Sequence, residues 1–124
     1  MLKQVLIVED SESCAETLQI ALESIPGLET RIAHSPHAAL AALRDSPGEI
    51  AAIVTDLHLP QSDGFDLIRQ LRAEPRFARL PILLISGDTD PLLPERALAI
   101  GADAFFPKPY SPSAVRKKLE QLLC

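Results

Sequence analysis

Long apolar runs are missing from this chain. No stretch approaches the roughly 18 residues that a membrane-spanning helix needs, so no membrane anchor is expected. Cysteine is scarce. Cys14 and Cys124 are the only two in 124 residues, their spacing is not that of a metal site, and both read as reduced thiols of a cytoplasmic protein. Clustered positive charge is missing too. Lys and Arg number 12 against 17 Asp and Glu, for a formal charge of −5. The one basic run, Arg116-Lys117-Lys118, sits in a helical pattern and reads as a solvated face. A nucleic-acid partner, which calls for a basic surface, is therefore not expected. The N-terminus enters a strand directly, so no signal peptide is expected. With no internal repeat, linker or low-complexity tract, residues 1–124 are expected to form one cytoplasmic domain, large enough to bury a core without staples.

Four short apolar runs each end in a residue of definite chemistry. Val5-Leu6-Ile7-Val8 ends in Glu9-Asp10, and Ile50 to Thr55 ends in Asp56. Ile82-Leu83-Leu84-Ile85 ends in Ser86, and Ala104-Phe105-Phe106-Pro107 ends in Lys108. Such runs read as strands buried on both faces. A weaker strand, about 29 to 33, belongs at a sheet edge. Helical patterns lie between: Ala15, Leu18, Leu22 and Ile25, stopped by Pro26-Gly27; a helix capped by Ser35 with Pro36 first, ended by Ser46-Pro47-Gly48; a helix capped by Asp63 or Ser62 and bounded by Pro75; a short one from about Pro94 to Ile100, ended by Gly101; and one opened by Ser111-Pro112. Five strand–helix repeats predict a doubly wound α/β fold, its five-stranded parallel sheet joined by right-handed crossovers. Pro107 lacks a backbone donor and places the fifth strand at an edge. The order 2-1-3-4-5 follows.

Ligands of open α/β sheets bind at the carboxyl ends of the strands. Glu9, Asp10, Asp56, Ser86 and Lys108 should therefore converge. Three acids that close repel unless a cation neutralises them, and with no His or Cys at ligand spacing the oxygen-only set favours Mg²⁺ over zinc. Lys108 can neutralise a phosphoryl oxygen or pair with Asp56, and Ser86 can donate to another phosphoryl oxygen. Phosphoryl transfer asks mainly for positioning and charge neutralisation, and a carboxylate can be the nucleophile. Asp56, ending the central strand, is the candidate. Taken singly, each residue can be a cap, a loop acid or a surface lysine; together they share one sheet edge. His34 and His37 flank a helix start and read as solvated. The loops lack the Gly- or Ser/Thr-rich phosphate cradle of flavin-binding proteins with this fold.

The pieces Leu6-Ile7-Val8-Glu9-Asp10, Asp56-Leu57-His58-Leu59-Pro60 with Asp63-Gly64, Ser86-Gly87, Gly101-Ala102-Asp103 and Lys108-Pro109 occur in this order over nearly the whole chain. In this the chain resembles a response-regulator receiver domain of the CheY type, from two-component signalling. The resemblance implies that Asp56 is the phosphoacceptor and that Mg²⁺ is held by Asp10, by Glu9 through water, by Asp56 and by the main-chain carbonyl of His58. It makes Ser86 and Lys108 the phosphoryl-sensing hydroxyl and lysine, and Phe105 the aromatic that swings inward. It suggests a cis Lys108-Pro109 bond, and an influence of His58 and Asp88 on phosphoryl lifetime. Glu9 stands where Asp is commoner, and Gly87 where Ala is.

The partners implied are a sensor histidine kinase or phosphotransfer protein upstream. Downstream they are a protein target, an output domain outside this chain, or a second copy through the face of the fourth helix, fifth strand and fifth helix. Such a protein would not be an enzyme beyond its own phosphotransfer and dephosphorylation. Two alternatives are a receiver cut from a longer regulator and a non-phosphorylated interaction module of the same fold. A hydrolase acting on outside substrates would need a pocket that the short loops leave little room for.

Overall fold

The computed structural model describes residues 3–45, 48–59 and 62–123. Five strands, β1 (Lys3–Val8), β2 (Leu28–Ala33), β3 (Ile50–Asp56), β4 (Ile82–Ser86) and β5 (Ala104–Pro107), alternate with five helices. The helices are α1 (Glu12–Glu23), α2 (Pro36–Asp45), α3 (Gly64–Ala73), α4 (Leu93–Ile100) and α5 (Pro112–Leu123). The strands form one sheet of order β2-β1-β3-β4-β5, and every pairing in it is parallel. A two-residue antiparallel ribbon, His58–Leu59 with Ser62–Asp63, lies between β3 and α3.

Side chains alternate across a strand, and two cores result. Leu6, Val8, Ile53, Ile82 and Leu84 face α2, α3 and α4 through Leu43, Phe65, Ile68, Leu71, Leu93 and Ala97. Val5, Ile7, Val54, Leu83 and Ile85 face α1 and α5 through Ala15, Leu18, Leu22, Val115 and Leu119. Burial on both faces is why the central strands carry almost no polar residue until their last positions.

The sequence expectations are met with small shifts. β2 starts at Leu28 and α4 at Leu93, each one residue early. Asp63 is the cap of α3, accepting from Asp66 N–H at 2.9 Å. Ser35 accepts from Ala38 N–H at 3.1 Å at the start of α2. Pro75 opens a single 3₁₀ turn after α3. Gly101 closes α4 at φ +117°, where a glycine is favoured. Lys108-Pro109 is cis. The expected stop at Ser46-Pro47, Pro60 of the Asp56 segment, and Cys124 lie outside the described residues.

Candidate functional site

The strand ends are level, and this assembles the site. Val8 pairs with Thr55, Asp56 with Ile85, and Ser86 with Pro107, so the residues that follow or end these strands share one edge. Carboxylate oxygens of Glu9, Asp10 and Asp56 lie within 4.8 Å of one another. Glu9 and Asp56 are buried, whereas Asp10 is exposed. Lys108 Nζ donates to Asp56 Oδ2 at 2.8 Å and to Glu9 Oε1 at 3.2 Å. Burial raises the Glu9 pKa and the Asp56 charge raises it further, with Lys108 opposing. Burial disfavours the charged Lys108, yet its bonds and charge attraction to Asp56 and Glu9 win, and its pKa is raised.

One ammonium cannot balance three carboxylates. The donor set is all oxygen, so the cluster fits a hard divalent cation supplying the missing positive charge. Glu9, Asp10 and Asp56 are the side chains that would hold it.

The other candidates are brought to the same edge, with differences in what they touch. His58 reaches Asp56 through its N–H, which donates to Asp56 Oδ1 at 3.3 Å. Its ring lies 3.4 Å from the Asp88 carboxylate. Ser86 is fully buried, and among the described residues its hydroxyl oxygen accepts from Asp88 N–H at 3.0 Å rather than meeting Asp56. Lys108 N–H donates to Ser86 C=O at 2.8 Å, fixing the lysine beside the hydroxyl. Phe105 is half-buried against the α2–α3–α4 core, and Phe106 packs on the opposite core with Tyr110 and Leu122.

The structure adds two residues. Gly64 sits against the phosphoacceptor candidate: a Cβ there would lie 2.6 Å from Asp56 C=O and 3.1 Å from Leu57 Cα. Only hydrogen fits, which gives Asp63-Gly64 its physical reason. His34, read from the sequence as solvated, is exposed and also bonds through Nδ1 to Glu9 C=O at 3.0 Å. Nothing in the local sequence marks that contact.

A single parallel sheet of order 2-1-3-4-5, covered by helices on both faces, with an acid cluster and lysine at its carboxyl edge, defines a CheY-like α/β protein. Residues 5–120 match the response regulator receiver domain model, and the chain belongs to that family, the receiving module of two-component signalling. Receiver domains interact with histidine kinases and output domains. Chemotaxis protein CheY1 of Helicobacter pylori is 27% identical over 121 residues, covering 97% of this chain and 96% of that protein. Transcriptional regulatory protein GltR of Pseudomonas aeruginosa is 30% identical over 98% of this chain, which spans 49% of GltR. A putative response regulator from Chloroflexus aurantiacus superposes at a TM-score of 0.90 with 28% identity, covering 99% of this chain and 98% of that one. Chemotaxis response regulator CheY4 of Vibrio cholerae superposes at 0.87 with 27% identity, covering 99% and 100%. Among the described residues no helix is long and apolar enough to cross a membrane.

Proposed function

We propose that this domain is a phosphorylation-activated switch whose phosphoacceptor is Asp56. The observation that carries the reading is Lys108 Nζ seated 2.8 Å from Asp56 and 3.2 Å from Glu9 inside the acid cluster. An Asp56 oxygen attacks the phosphorus of a phosphohistidine on a histidine kinase or phosphotransfer protein. The new O–P bond forms as the N–P bond breaks, and the imidazole leaves with the electron pair. Glu9, Asp10, Asp56 and the His58 main-chain carbonyl would hold Mg²⁺, which would supply charge neutralisation at the phosphoryl oxygens. Lys108 holds the Asp56 carboxylate in place and then neutralises one phosphoryl oxygen. The Ser86 hydroxyl, which accepts from Asp88 N–H, can donate its proton to another.

Drawing Ser86 towards the phosphoryl competes with the Asp88 N–H bond, so the loop into α4 feels the change, as does Phe105 beside it. Downstream contact is assigned to the α4–β5–α5 face. It serves a protein target, an output domain or a second copy. The domain acts on no outside substrate; its only chemistry is gain and loss of its own phosphoryl group. The span of about half of GltR supports a second arrangement, in which the same switch is the receiver part of a longer regulator. An interaction module without the switch is disfavoured, because every acid, the hydroxyl and the lysine are present.

Intact-mass spectrometry after incubation with a small-molecule phosphodonor and Mg²⁺ tests the reading. A single Mg²⁺-dependent phosphoryl adduct is expected, absent in Asp56→Asn. Equal labelling of the variant would refute the assignment of Asp56.

A further inference from the structure

The Glu9-Asp10 peptide is where β1 turns into the loop before α1, and its orientation sets where both carboxylates point. Three contacts hold it. Glu9 N–H donates to Ala33 C=O at 3.0 Å, extending the β1–β2 ladder by one residue. Asp10 N–H donates to Glu9 Oε2 at 2.9 Å. Glu9 C=O lies 3.0 Å from His34 Nδ1. A carbonyl can only accept, so Nδ1 carries a proton.

These contacts are unequal. The Asp10 N–H bond uses a carboxylate oxygen of Glu9, an atom that a cation in the cluster would compete for. The ladder bond lies on the far side of the Glu9 Cα from the Glu9-Asp10 peptide plane. Among the described residues, His34 alone ties that plane to a neighbouring element through an atom that no cation needs. It comes from the connection between β2 and α2, whose next residue, Ser35, is locked as the cap of α2.

We infer that His34 is a positioning residue for the metal site: its Nδ1–H holds the Glu9 carbonyl so that Glu9 and Asp10 present their carboxylates together. This rests on the proposed Mg²⁺ site. Side chains that orient metal ligands typically change affinity by roughly ten- to a hundredfold when lost. His34 acts through one main-chain bond to a carbonyl that water can partly solvate, so a loss of about three- to tenfold is expected.

The test titrates Mg²⁺ into the parent, His34→Ala and His34→Asn by nuclear magnetic resonance, with thermal melts of all three without metal. The expected result is weaker binding in His34→Ala, substantial recovery in His34→Asn through its amide donor, and melts that coincide. The parent imidazole nitrogens should report a proton on Nδ1. Mg²⁺ binding by His34→Ala equal to the parent, or an Nε2–H tautomer in the parent, would overturn the inference while leaving the metal site intact. A parent that binds no Mg²⁺ would overturn both.

Discussion

Arg72 gives the sharpest stability prediction. Its side chain, 19% exposed, lies at the end of α3. Nε and Nη2 donate to Gly101 C=O at 3.0 and 2.7 Å, at the closing turn of α4. Nη1 donates to Phe77, Ala78 and Leu80 C=O at 3.1, 3.1 and 2.7 Å, in the segment leading to β4. Nη2 also reaches Asp103 Oδ2 at 3.3 Å, the same oxygen that accepts from Ile82 N–H at 2.8 Å. One planar fork thus joins α3, the 3₁₀ turn, the end of α4 and the start of β4.

Replacing Arg72 by Met keeps most of the aliphatic packing and removes every donor. Each stranded, partly buried carbonyl costs about 1–3 kcal/mol. Four of those bonds, two to Gly101 and one each to Phe77 and Leu80, are part-buried, so three carbonyls are at stake. Water will reach some of the freed oxygens, and the guanidinium's own desolvation cost is recovered. The net loss should therefore be about 2–4 kcal/mol, a large share of the roughly 5–15 kcal/mol typical of a domain. Urea unfolding should show a lowered midpoint at unchanged slope. Hydrogen exchange should quicken first in α4 and the 3₁₀ turn. Arg72→Lys retains the charge but not the fork, and should recover less than half of the loss. A Met variant within about 0.5 kcal/mol of the parent, near the level of a neutral surface change, would refute this reasoning. So would a Lys variant as stable as the parent.

Other perturbations follow from the same geometry. Asp10→Ala removes a candidate ligand directly, so Mg²⁺ affinity measured by calorimetry should fall at least about tenfold, no less than when an orienting group is lost; an unchanged isotherm would exclude Asp10 from the site. Gly64→Ala drives a methyl against the Asp56 main chain; a loss of about 1–3 kcal/mol is expected from overpacking, with slower labelling of Asp56, and a parent-like urea midpoint would count against the close approach. The Arg44 hydrogen bond lowers the Glu74 pKa, more than offsetting desolvation. A folded-state pKa below the unfolded one gives stability that is present above the unfolded value and lost as pH falls through the folded one. The deficit of Arg44→Ala should accordingly be present at neutral pH and shrink as pH falls below about 4.3, the ordinary Glu value. A deficit that is constant through acid pH would show that the pair does not act through Glu74 ionisation.

How much of this was legible in the sequence depends on whether a residue announces its partner. β1, β3 and β4 are nearly uniform apolar runs because both faces are covered, and their ends are visible as abrupt changes to Glu9, Asp56 and Ser86. The parallel topology then levels those ends, so the gathering of the acids, Ser86 and Lys108 follows from the strand pattern. The start of α4 is less sharp because Leu92 caps it without a side-chain bond. Arg72 and His34 were not legible at all. Their acceptors are main-chain carbonyls up to 29 residues away, and a carbonyl carries no sequence signal. Ser86 ends β4 at the same sheet edge, but the bond of its hydroxyl to Asp88 N–H depends on the loop conformation after β4.

The same contacts explain how one added group at Asp56 can be felt at a distance, under the proposed switch. Asp56 Oδ1 accepts from His58 N–H, and the His58 ring faces Asp88. Asp88 N–H donates to Ser86 Oγ, Ser86 C=O accepts from Lys108 N–H, and Lys108 Nζ returns to Asp56 Oδ2. This ring joins the ends of β3, β4 and β5. A phosphoryl group on Asp56 changes the charge that Lys108 answers and offers Ser86 a stronger acceptor for its hydroxyl proton than the neutral groups around it. Both changes bear on Asp88, the second residue of an exposed loop that runs into α4, a helix with only Leu93 and Ala97 buried. The opposite end of α4 is held by Arg72 at Gly101. A helix lightly packed along its length and pinned at its C-terminal end yields most easily at its N-terminal turn. Displacement should therefore concentrate at 87–93, and phosphorylation should alter exchange there more than at 97–101. The reverse pattern would mean that the signal leaves Asp56 through Phe105 and β5 instead.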